Sequence, residues 1–398
     1  MKIKVLGIIL IGLITMKVQA QRGYSVQINL TVEAAAHTSE AIYITGNFNG
    51  WNPKDQAYTL QPNPGSHGAY SIVLHDIPAG ILEYKVTRGS WQTLECSTTG
   101  RLLNLHDHLV DRDLILNTTI KAWRDQYPAS TAPDDLVVLE NFIMPELQRT
   151  RTIRIYLPKA YASSKQQYPV WYMHDGQDLF DEAISEGRLG PVEWGIDETI
   201  ERLGDHYIVV GIDHEYEKNR REKEYAFFPT SQTPQAEGQA YLSFLVHTLK
   251  PYVDANYRTL KQKEHTGIAG GSLGGLISLY GGLTYPEVFG KVGVFSPSLW
   301  QDNQQLQAYM ADFTPQQQQQ IQEQMYFFYA GGRENRKIGA NQVVHMDEDV
   351  QAFVQYAQGQ VSLPYQLKID PMGKHGAWYW QQAFAWMIEL DRNQFNTK

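Results

Sequence analysis

The stretch that decides the fold reads Gly270-Gly271-Ser272-Leu273-Gly274. It follows a short apolar run, 265–269, and opens a stretch of helical character, 273–281. A serine with glycines two places before and after it is typical of the sharp strand-to-helix turn that exposes a nucleophile. The start of the helix also places the backbone N–H of Leu273 and a favourable dipole beside a developing oxyanion. The stretch therefore predicts nucleophilic catalysis by Ser272, with Leu273 as one oxyanion donor.

Strands and helices alternate on both sides of this turn, from about residue 136 to the end of the chain. Short runs rich in β-branched and aromatic residues lie at 152–157, 170–174, 208–212, 265–269, 325–330 and 365–369. Helical stretches lie between and after them, at 192–203, 238–255, 273–281, 343–357 and 380–391. Such alternation favours buried parallel strands joined by right-handed helical crossovers. We therefore predict an α/β domain over residues 136–398, with a mainly parallel sheet flanked by helices.

A serine nucleophile needs a base, and in this architecture the base follows the serine along the chain. Only His345 and His375 do so. His345 lies within a helical pattern, whereas His375 lies in a glycine-flanked loop, 372–376, directly after the last predicted strand. We therefore assign His375 as general base and acid.

The acid that orients this histidine should come from the loop after the preceding strand, 325–330. That loop contains Glu334, whose carboxylate would hold the histidine tautomer and stabilise the imidazolium. Asp347 and Asp349, which follow shortly after, and Asp370, beside the histidine loop, are alternatives. Glu334 is the first choice.

A second oxyanion donor should come from the loop after an early central strand, 170–174. We assign it to the backbone N–H of Gln177. The neighbouring pair His174-Asp175 also suggests catalysis or metal binding, but a turn held by Asp175 is the simpler interpretation.

Residues 24–117 contain only short alternating runs, at 25–31, 41–45, 69–74 and 82–87, separated by turn clusters rich in Asn, Gly and Pro. No helical periodicity intervenes, so we predict a small β-sandwich over residues 21–117. A polar stretch, 127–135, lies between the two patterns, and we predict a linker over residues 118–135.

The first twenty residues have the pattern of a secretory signal peptide. Lys2 and Lys4 precede an apolar run, 5–16, and a small-x-small cleavage site, 18–20, comes before Gln21. The apolar run is too short to span a bilayer comfortably. We therefore predict a signal peptide over residues 1–20, a periplasmic or secreted protein and no stable membrane anchor after cleavage.

Composition excludes several classes of partner and site. The 398 residues have a net charge of −9, which gives no electrostatic footprint for nucleic acid. A single cysteine, Cys96, excludes an internal disulfide framework and a cysteine-based zinc cluster. His106 and His108, with Asp111, have ligand-like spacing, but two histidines on one strand face are usually structural without further partners. We predict no metal and no cofactor.

With these residues in place, residues 136–398 resemble the esterase D-like branch of the α/β-hydrolase fold, which includes feruloyl, acetylxylan and enterochelin-type siderophore esterases. The resemblance rests on the segments 151–158, 172–180, 194–199, 210–214 and 221–229, the serine turn, and His375 followed by Trp378. It implies an ester hydrolase in which Ser272 attacks and His375 carries the proton. Some siderophore esterases of this branch work with a serine–histidine dyad, so a dyad without Glu334 is an alternative.

The first domain resembles glycogen- and starch-binding modules through the segments 44–53 and 83–91. The resemblance implies that Trp51 and Trp91 stack on sugar faces and that Lys85 and Asn104 reach hydroxyl groups. Siderophore esterases also carry an N-terminal sandwich of this shape, so a purely structural domain is the alternative.

Three functions follow from these observations. The first is an exported serine carboxylic-ester hydrolase that acts on acyl or feruloyl esters of carbohydrate. The second is a siderophore or other small-molecule esterase, and the third a non-catalytic glycan-binding protein. Glycan-facing tryptophans would favour the first, whereas clustered cations at the rim of the site, where Arg220, Arg221 and Lys223 are expected, would favour an anionic siderophore.

Overall fold

The computed structural model describes residues 23–36, 38–185, 192–204, 206–215, 217, 220–231, 233–302, 304–338 and 342–395. The predicted signal peptide, 1–20, lies outside these residues. The chain divides into two compact units, Met1–Tyr127 and Pro128–Lys398. No helix in these ranges is long and apolar enough to cross a membrane.

The first unit is all-β, as predicted. Its strands are β1 (Tyr24–Val32), β2 (Tyr43–Gly46), β3 (Gln61–Pro62), β4 (Ala69–Ile77), β5 (Gly80–Thr87), β6 (Glu95–Cys96), β7 (His106–Val110), β8 (Leu114–Ile120) and β9 (Ala122–Trp123). They form a four-stranded sheet, β3-β4-β1-β8, a three-stranded sheet, β2-β5-β7, and a two-stranded sheet, β6-β9. Inward residues of β1 and β5 such as Val26 and Leu82 share one core, because side chains alternate between the faces of a strand.

The boundary between the units lies inside the predicted linker, but the linker prediction is too long. Strand β8 continues to Ile120, and β9 pairs with β6. Trp123 is fully buried and donates its indole N–H to the Ala36 carbonyl at 2.7 Å. On the other side, the Thr131 N–H donates to Asp181 at 3.1 Å. Burial and hydrogen bonds therefore assign most of this polar segment to one unit or the other.

The second unit has the predicted α/β-hydrolase architecture. Its strands are β10 (Val137–Met144), β11 (Arg149–Tyr156), β12 (Val170–His174), β13 (Ile208–Ile212), β14 (Thr266–Gly271), β15 (Lys291–Phe295), β16 (Met325–Gly331), β17 (Asn335–Ile338), β18 (Gln342–His345) and β19 (Tyr365–Asp370). Eight of them form one sheet in the order β10-β11-β13-β12-β14-β15-β16-β19, in which only the pairs β10–β11 and β11–β13 are antiparallel. Strands β17 and β18 form a separate hairpin.

The helices of this unit are α1 (Ile196–Arg202), α2 (Arg220–Tyr225), α3 (Gly238–Phe244), α4 (Lys250–Asn256), α5 (Leu273–Thr284), α6 (Gln305–Ala311), α7 (Pro315–Gln322), α8 (Met346–Val361) and α9 (Ala377–Phe395), with a π-helical segment, Leu245–Leu249, joining α3 to α4. The central strands β12 to β16 are buried almost throughout because apolar clusters cover both faces of the sheet.

Several details differ from the sequence prediction. Strands β10, β15, β17 and β18 and helices α2 and α6 were not predicted, and the helix expected from residue 343 begins three residues later, at Met346. Residues 343–345 instead pair with β17, and the acidic residues that follow occupy the first turn of α8, where the helix dipole favours them. The carboxyl ends of β12, β14, β15, β16 and β19 share one edge of the sheet, which is where ligands bind in open α/β sheets.

Candidate active site

Ser272 occupies the predicted sharp turn between β14 and α5. Its backbone has φ 61° and ψ −119°, a conformation that side-chain-bearing residues rarely adopt and that is a recurrent feature of functional sites. A Cβ atom at Gly270 would lie 2.7 Å from the backbone carbon of Gly274, so the turn requires the first of these glycines. The residue is half-buried, and its hydroxyl lies 3.1 Å from the Ser298 hydroxyl.

The loop after β12 lies against the start of α5. A Cβ atom at Gly274 would be 3.1 Å from the Asp175 carboxylate. Gln177 in this loop is buried, and its side-chain oxygen accepts from the His214 N–H at 3.1 Å. Among the residues with described positions, no protein acceptor takes the backbone N–H of Leu273 or of Gln177. The Leu273 N–H directly follows the strained serine at the start of α5, so it is able to contribute to an oxyanion site, and Gln177 stays the predicted second donor.

His375 and Glu334 are brought together as predicted. The His375 Nδ1 atom lies 3.0 Å from Glu334 Oε2, with the imidazole about one-third exposed and the carboxylate fully buried. The other oxygen, Oε1, accepts from the Gly331 N–H at 2.9 Å. Of the alternative acids, Asp370 accepts from the Met372 N–H, and Asp347 lies in the first turn of α8. Glu334 is therefore the acid that contacts the histidine.

Trp380 contacts both the histidine and the glycine that precedes the serine. Its ring packs edge-on against His375, with the centroids 4.8 Å apart and an interplanar angle of 81°. A Cβ atom at Gly271 would lie 2.8 Å from the same indole, so Trp380 also covers the residue before Ser272. Trp380 also packs on the core, and Trp378, two residues before it, is half-buried.

Two serines of this site were missed by the sequence analysis. Ser296 and Ser298 follow β15, and both are buried. Ser298 contacts Ser272, and Ser296 donates to Glu334 Oε1 at 2.7 Å. The signal that could have found them is the apolar run 292–295 between Gly290 and Pro297, which reads as one more buried strand that ends beside the serine turn.

Asp175 holds its turn, as the sequence indicated. Its carboxylate accepts from Arg221 Nε at 2.6 Å and Nη2 at 2.7 Å, and it lies 3.0 Å from His214 Nδ1. Burial opposes ionisation, but Arg221 and His214 together keep the pKa of Asp175 well below its usual range. His174 bonds to the Tyr241 hydroxyl at 2.8 Å, and burial lowers the pKa of His174 to about 3, so it stays neutral. The pair is a structural support of the turn.

The basic residues expected at the rim are paired with acids. Arg221 binds Asp175, the Lys223 ammonium lies 2.8 Å from Glu237, and Arg220 lies 2.6 Å from Glu217. Each of the three cations therefore has a carboxylate partner, and Glu237 is shared with Arg149.

In the first unit, the structure contradicts the role expected of Lys85. This side chain is only 3 % exposed and donates to the Leu103 carbonyl at 2.7 Å, so it is not available to a sugar hydroxyl. Trp51, Trp91 and Asn104 are half-buried. Trp51 lies in the turn that follows β2, and Trp91 follows β5.

The histidines of β7 pack within their own unit. His106 Nε2 lies 2.8 Å from the buried Glu95 carboxylate, and the imidazole stacks on Tyr84 with centroids 4.7 Å apart. Burial opposes protonation of His106, but Glu95 outweighs it and raises the pKa of His106. His108 stacks more loosely on the same tyrosine. Within the described ranges, no three His, Cys, Asp or Glu side chains are grouped as metal ligands would be.

Comparison with known proteins places this chain among esterases. The family model described as "Putative esterase" matches residues 144–389. The uncharacterized protein YbbA of Bacillus subtilis is 30 % identical over 159 residues, which cover 38 % of this chain and 59 % of that protein. An alpha-amylase of Niallia circulans is 37 % identical over 123 residues, 29 % of this chain and 9 % of the amylase. The chain therefore spans three-fifths of the first relative and a small part of the second.

Among solved structures, the enterochelin esterase of Shigella flexneri is similar over 89 % of this chain and 88 % of its own, with a TM-score of 0.52 and 14 % identity. At this identity the likeness concerns the fold, and it confirms the predicted α/β-hydrolase class. Because the family model spans more than half of the chain and its range contains both Ser272 and His375, the protein belongs to the putative esterase family.

Proposed function

We propose that this protein is an exported serine carboxylic-ester hydrolase that acts on acyl esters of carbohydrate through a Ser272–His375–Glu334 triad. The observation that carries the proposal is the 3.0 Å contact between His375 Nδ1 and the buried Glu334, in a chain whose Ser272 has a strained backbone conformation. A base oriented in this way and a nucleophile exposed on a sharp turn are the parts that acyl transfer needs.

In the proposed reaction, the Ser272 oxygen attacks the ester carbonyl carbon while His375 Nε2 takes the hydroxyl proton. The carbonyl oxygen becomes an oxyanion and is stabilised by the N–H groups of Leu273 and Gln177. Collapse breaks the bond to the alcohol, which leaves with the proton from His375. A water molecule then attacks the acyl-serine and gives one proton to His375. Collapse breaks the bond to the Ser272 oxygen, which takes that proton back from His375, and the acid is released. Glu334 stabilises the imidazolium in both halves.

Two observations support a carbohydrate ester as the substrate. The cations at the rim, Arg220, Arg221 and Lys223, are paired with carboxylates, so this rim is not built to capture an anion. Trp51 and Trp91 are partly exposed in a sandwich that resembles starch-binding modules, and indole faces suit the C–H surface of a sugar. The matching stretch in a protein named alpha-amylase is in keeping with a role on glycans.

One observation favours a second candidate, an esterase for an anionic small molecule such as a siderophore. The Arg336 guanidinium lies 5.0 Å from the centroid of the Trp300 ring and has no carboxylate partner within the described residues. Arg336 follows Glu334 by two residues, and Trp300 follows Ser298 by two, so this pair lies close to the reacting groups. The similar solved structure named enterochelin esterase is an example of this second class of esterase.

A substrate panel tests the proposal. We expect kcat/KM to be higher on methyl ferulate and acetylated xylan than on a trilactone siderophore, and Arg336→Gln to change the first two no more than its matched control Lys337→Gln. Preferred hydrolysis of the trilactone, with a specific loss in Arg336→Gln, would transfer the assignment to the second candidate. No hydrolysis of any ester, including short aryl esters, would contradict both.

Export is part of the proposal and rests on the pattern of residues 1–20. We expect the protein recovered from the periplasm or medium to begin at Gln21 when its intact mass is measured. A cell-associated product that retains Met1 would contradict export.

A further inference from the structure

We propose that Ser296 is a positioning residue that holds the Glu334 carboxylate toward His375, and that the indole N–H of Trp380 in turn fixes the Ser296 hydroxyl. The inference rests on the proposed triad and extends it to two residues that no sequence motif identified. Ser296 lies in the loop after β15, and Trp380 lies in the first turns of α9.

The directions of the hydrogen bonds follow from which groups can donate. An indole nitrogen only donates, so Trp380 Nε1 donates to Ser296 Oγ, at 2.9 Å. The hydroxyl proton of Ser296 is therefore free to go to Glu334 Oε1, at 2.7 Å. The Gly331 N–H donates to the same oxygen, at 2.9 Å. The second carboxylate oxygen is left for His375 Nδ1.

This arrangement also sets the histidine tautomer. An ionised carboxylate only accepts hydrogen bonds, so the contact with Glu334 places a proton on His375 Nδ1 and leaves Nε2 free to act as the base. If the carboxylate rotated, this preference would weaken. Two donors on Oε1 prevent that rotation, and Ser296 supplies the one that comes from a side chain.

The four side chains close a ring. Trp380 contacts Ser296 by its hydrogen bond and His375 by its ring edge, and Glu334 contacts Ser296 and His375 by its two oxygens. Each member is thus held by two others, although they come from three separate segments of the chain. Closed hydrogen-bond networks of this kind hold reacting groups in place more firmly than isolated pairs.

The backbone of Ser296 indicates that the position is maintained by its surroundings. The residue is fully buried and has φ 44°, in the left-handed region that favours glycine. Its N–H donates to the Tyr329 carbonyl at 2.7 Å. A serine kept in this conformation, where glycine would be easier, is consistent with a need for its hydroxyl.

The test is a set of kinetic variants on a short aryl ester. We expect Ser296→Ala to lower kcat about ten- to a hundredfold with KM unchanged, the range found for residues that orient a ligating or catalytic group. Trp380→Phe, which keeps an aromatic ring but removes the N–H donor, should lower kcat by less. Ser278→Ala is the matched control, because Ser278 is equally buried and its hydroxyl donates to the Gly274 carbonyl.

A comparison of Ser296→Ala in the wild-type and Glu334→Ala backgrounds separates a positioning role of Ser296 from a structural role. In a Glu334→Ala background, Ser296→Ala should lower kcat no further, since the group it positions is gone. An equal fractional loss in both backgrounds, or a loss matched by Ser278→Ala, would overturn the inference. Should Ser296→Ala not fold, the same comparison of Trp380→Phe in the two backgrounds decides it.

The outcome is distinguishable from failure of the proposed triad. If Ser272→Ala abolishes hydrolysis but Ser296→Ala and Trp380→Phe keep wild-type kcat, the serine mechanism stands and the positioning role is wrong. If Ser272→Ala retains activity, the mechanism itself is wrong.

Discussion

The two units of this protein differ in how their chemistry-bearing residues were placed by folding. In the second unit, Glu334 and His375 meet at 3.0 Å although 41 positions separate them. In the first unit, Lys85 is buried against Leu103, while Trp51 follows β2 and Trp91 follows β5. A catalytic turn is specified by its own backbone, whereas a binding surface depends on what covers each strand face.

Lys85 shows how the exposure of a strand residue depends on what covers its face. It lies on β5 between the core residues Tyr84 and Val86, so alternation along the strand predicts that it faces away from the core. That outer face is not open to solvent, because the segment that carries Leu103 covers it. The sequence pattern of β5 gives no indication that another segment covers its outer face.

The largest expected effect concerns the acid of the proposed triad in the second unit. We expect Glu334→Ala to lower kcat about 10³- to 10⁴-fold, as loss of an orienting acid does in serine hydrolases. Asp347→Ala is the matched control, and it should leave steady-state kinetics on an aryl ester unchanged. Near-normal turnover by Glu334→Ala would establish a Ser272–His375 dyad, and a large loss in Asp347→Ala would reassign the acid.

A smaller expected effect concerns how the free energy of unfolding of the second unit depends on pH. His174 titrates near 6.5 when unfolded, but burial lowers the pKa of His174 to about 3 in the folded protein. The unfolded chain therefore binds one more proton between these values, so this contribution to stability is present above pH 6.5 and is lost as the pH falls. From pH 6.5 to 4.5 the loss is about 2–3 kcal/mol.

Urea unfolding at several pH values measures this loss. His174→Gln should flatten the pH dependence of the free energy of unfolding over that range relative to wild type. His108 and His265, whose pKa values burial also lowers, are present in both proteins, so the difference isolates His174. Equal slopes for wild type and His174→Gln would show that this imidazole does not resist protonation.

The smallest effect concerns the first unit. If its indoles stack on sugar, Trp51→Ala with Trp91→Ala should weaken retention on starch or glycogen about tenfold, because aromatic stacking contributes about 0.5–1.5 kcal/mol per ring. Ile115→Ala, which removes an apolar side chain that is 67 % exposed, controls for non-specific adsorption. Absence of retention by the wild type on affinity gels would assign the unit a structural role.

Local patterns were enough for the fold and for part of the site. The runs at 170–174 and 208–212 became β12 and β13 with the same bounds, and the glycines around Ser272 indicated its turn. The hydrogen-bond partners of the site residues could not be predicted in this way, because those partners lie far away in the sequence. Arg221 was expected at a substrate rim, but it binds Asp175, 46 positions away, and Ser296 reaches Glu334 from a strand that was not predicted.

The most direct test of the central claim is covalent labelling with a fluorophosphonate, followed by peptide mass spectrometry and an activity assay on an aryl ester. The account predicts one phosphonate per chain, on Ser272, with activity lost in proportion to labelling, and no label on folded Ser272→Ala. Full activity in a protein labelled at Ser272, or activity lost through a label on another residue, would contradict it.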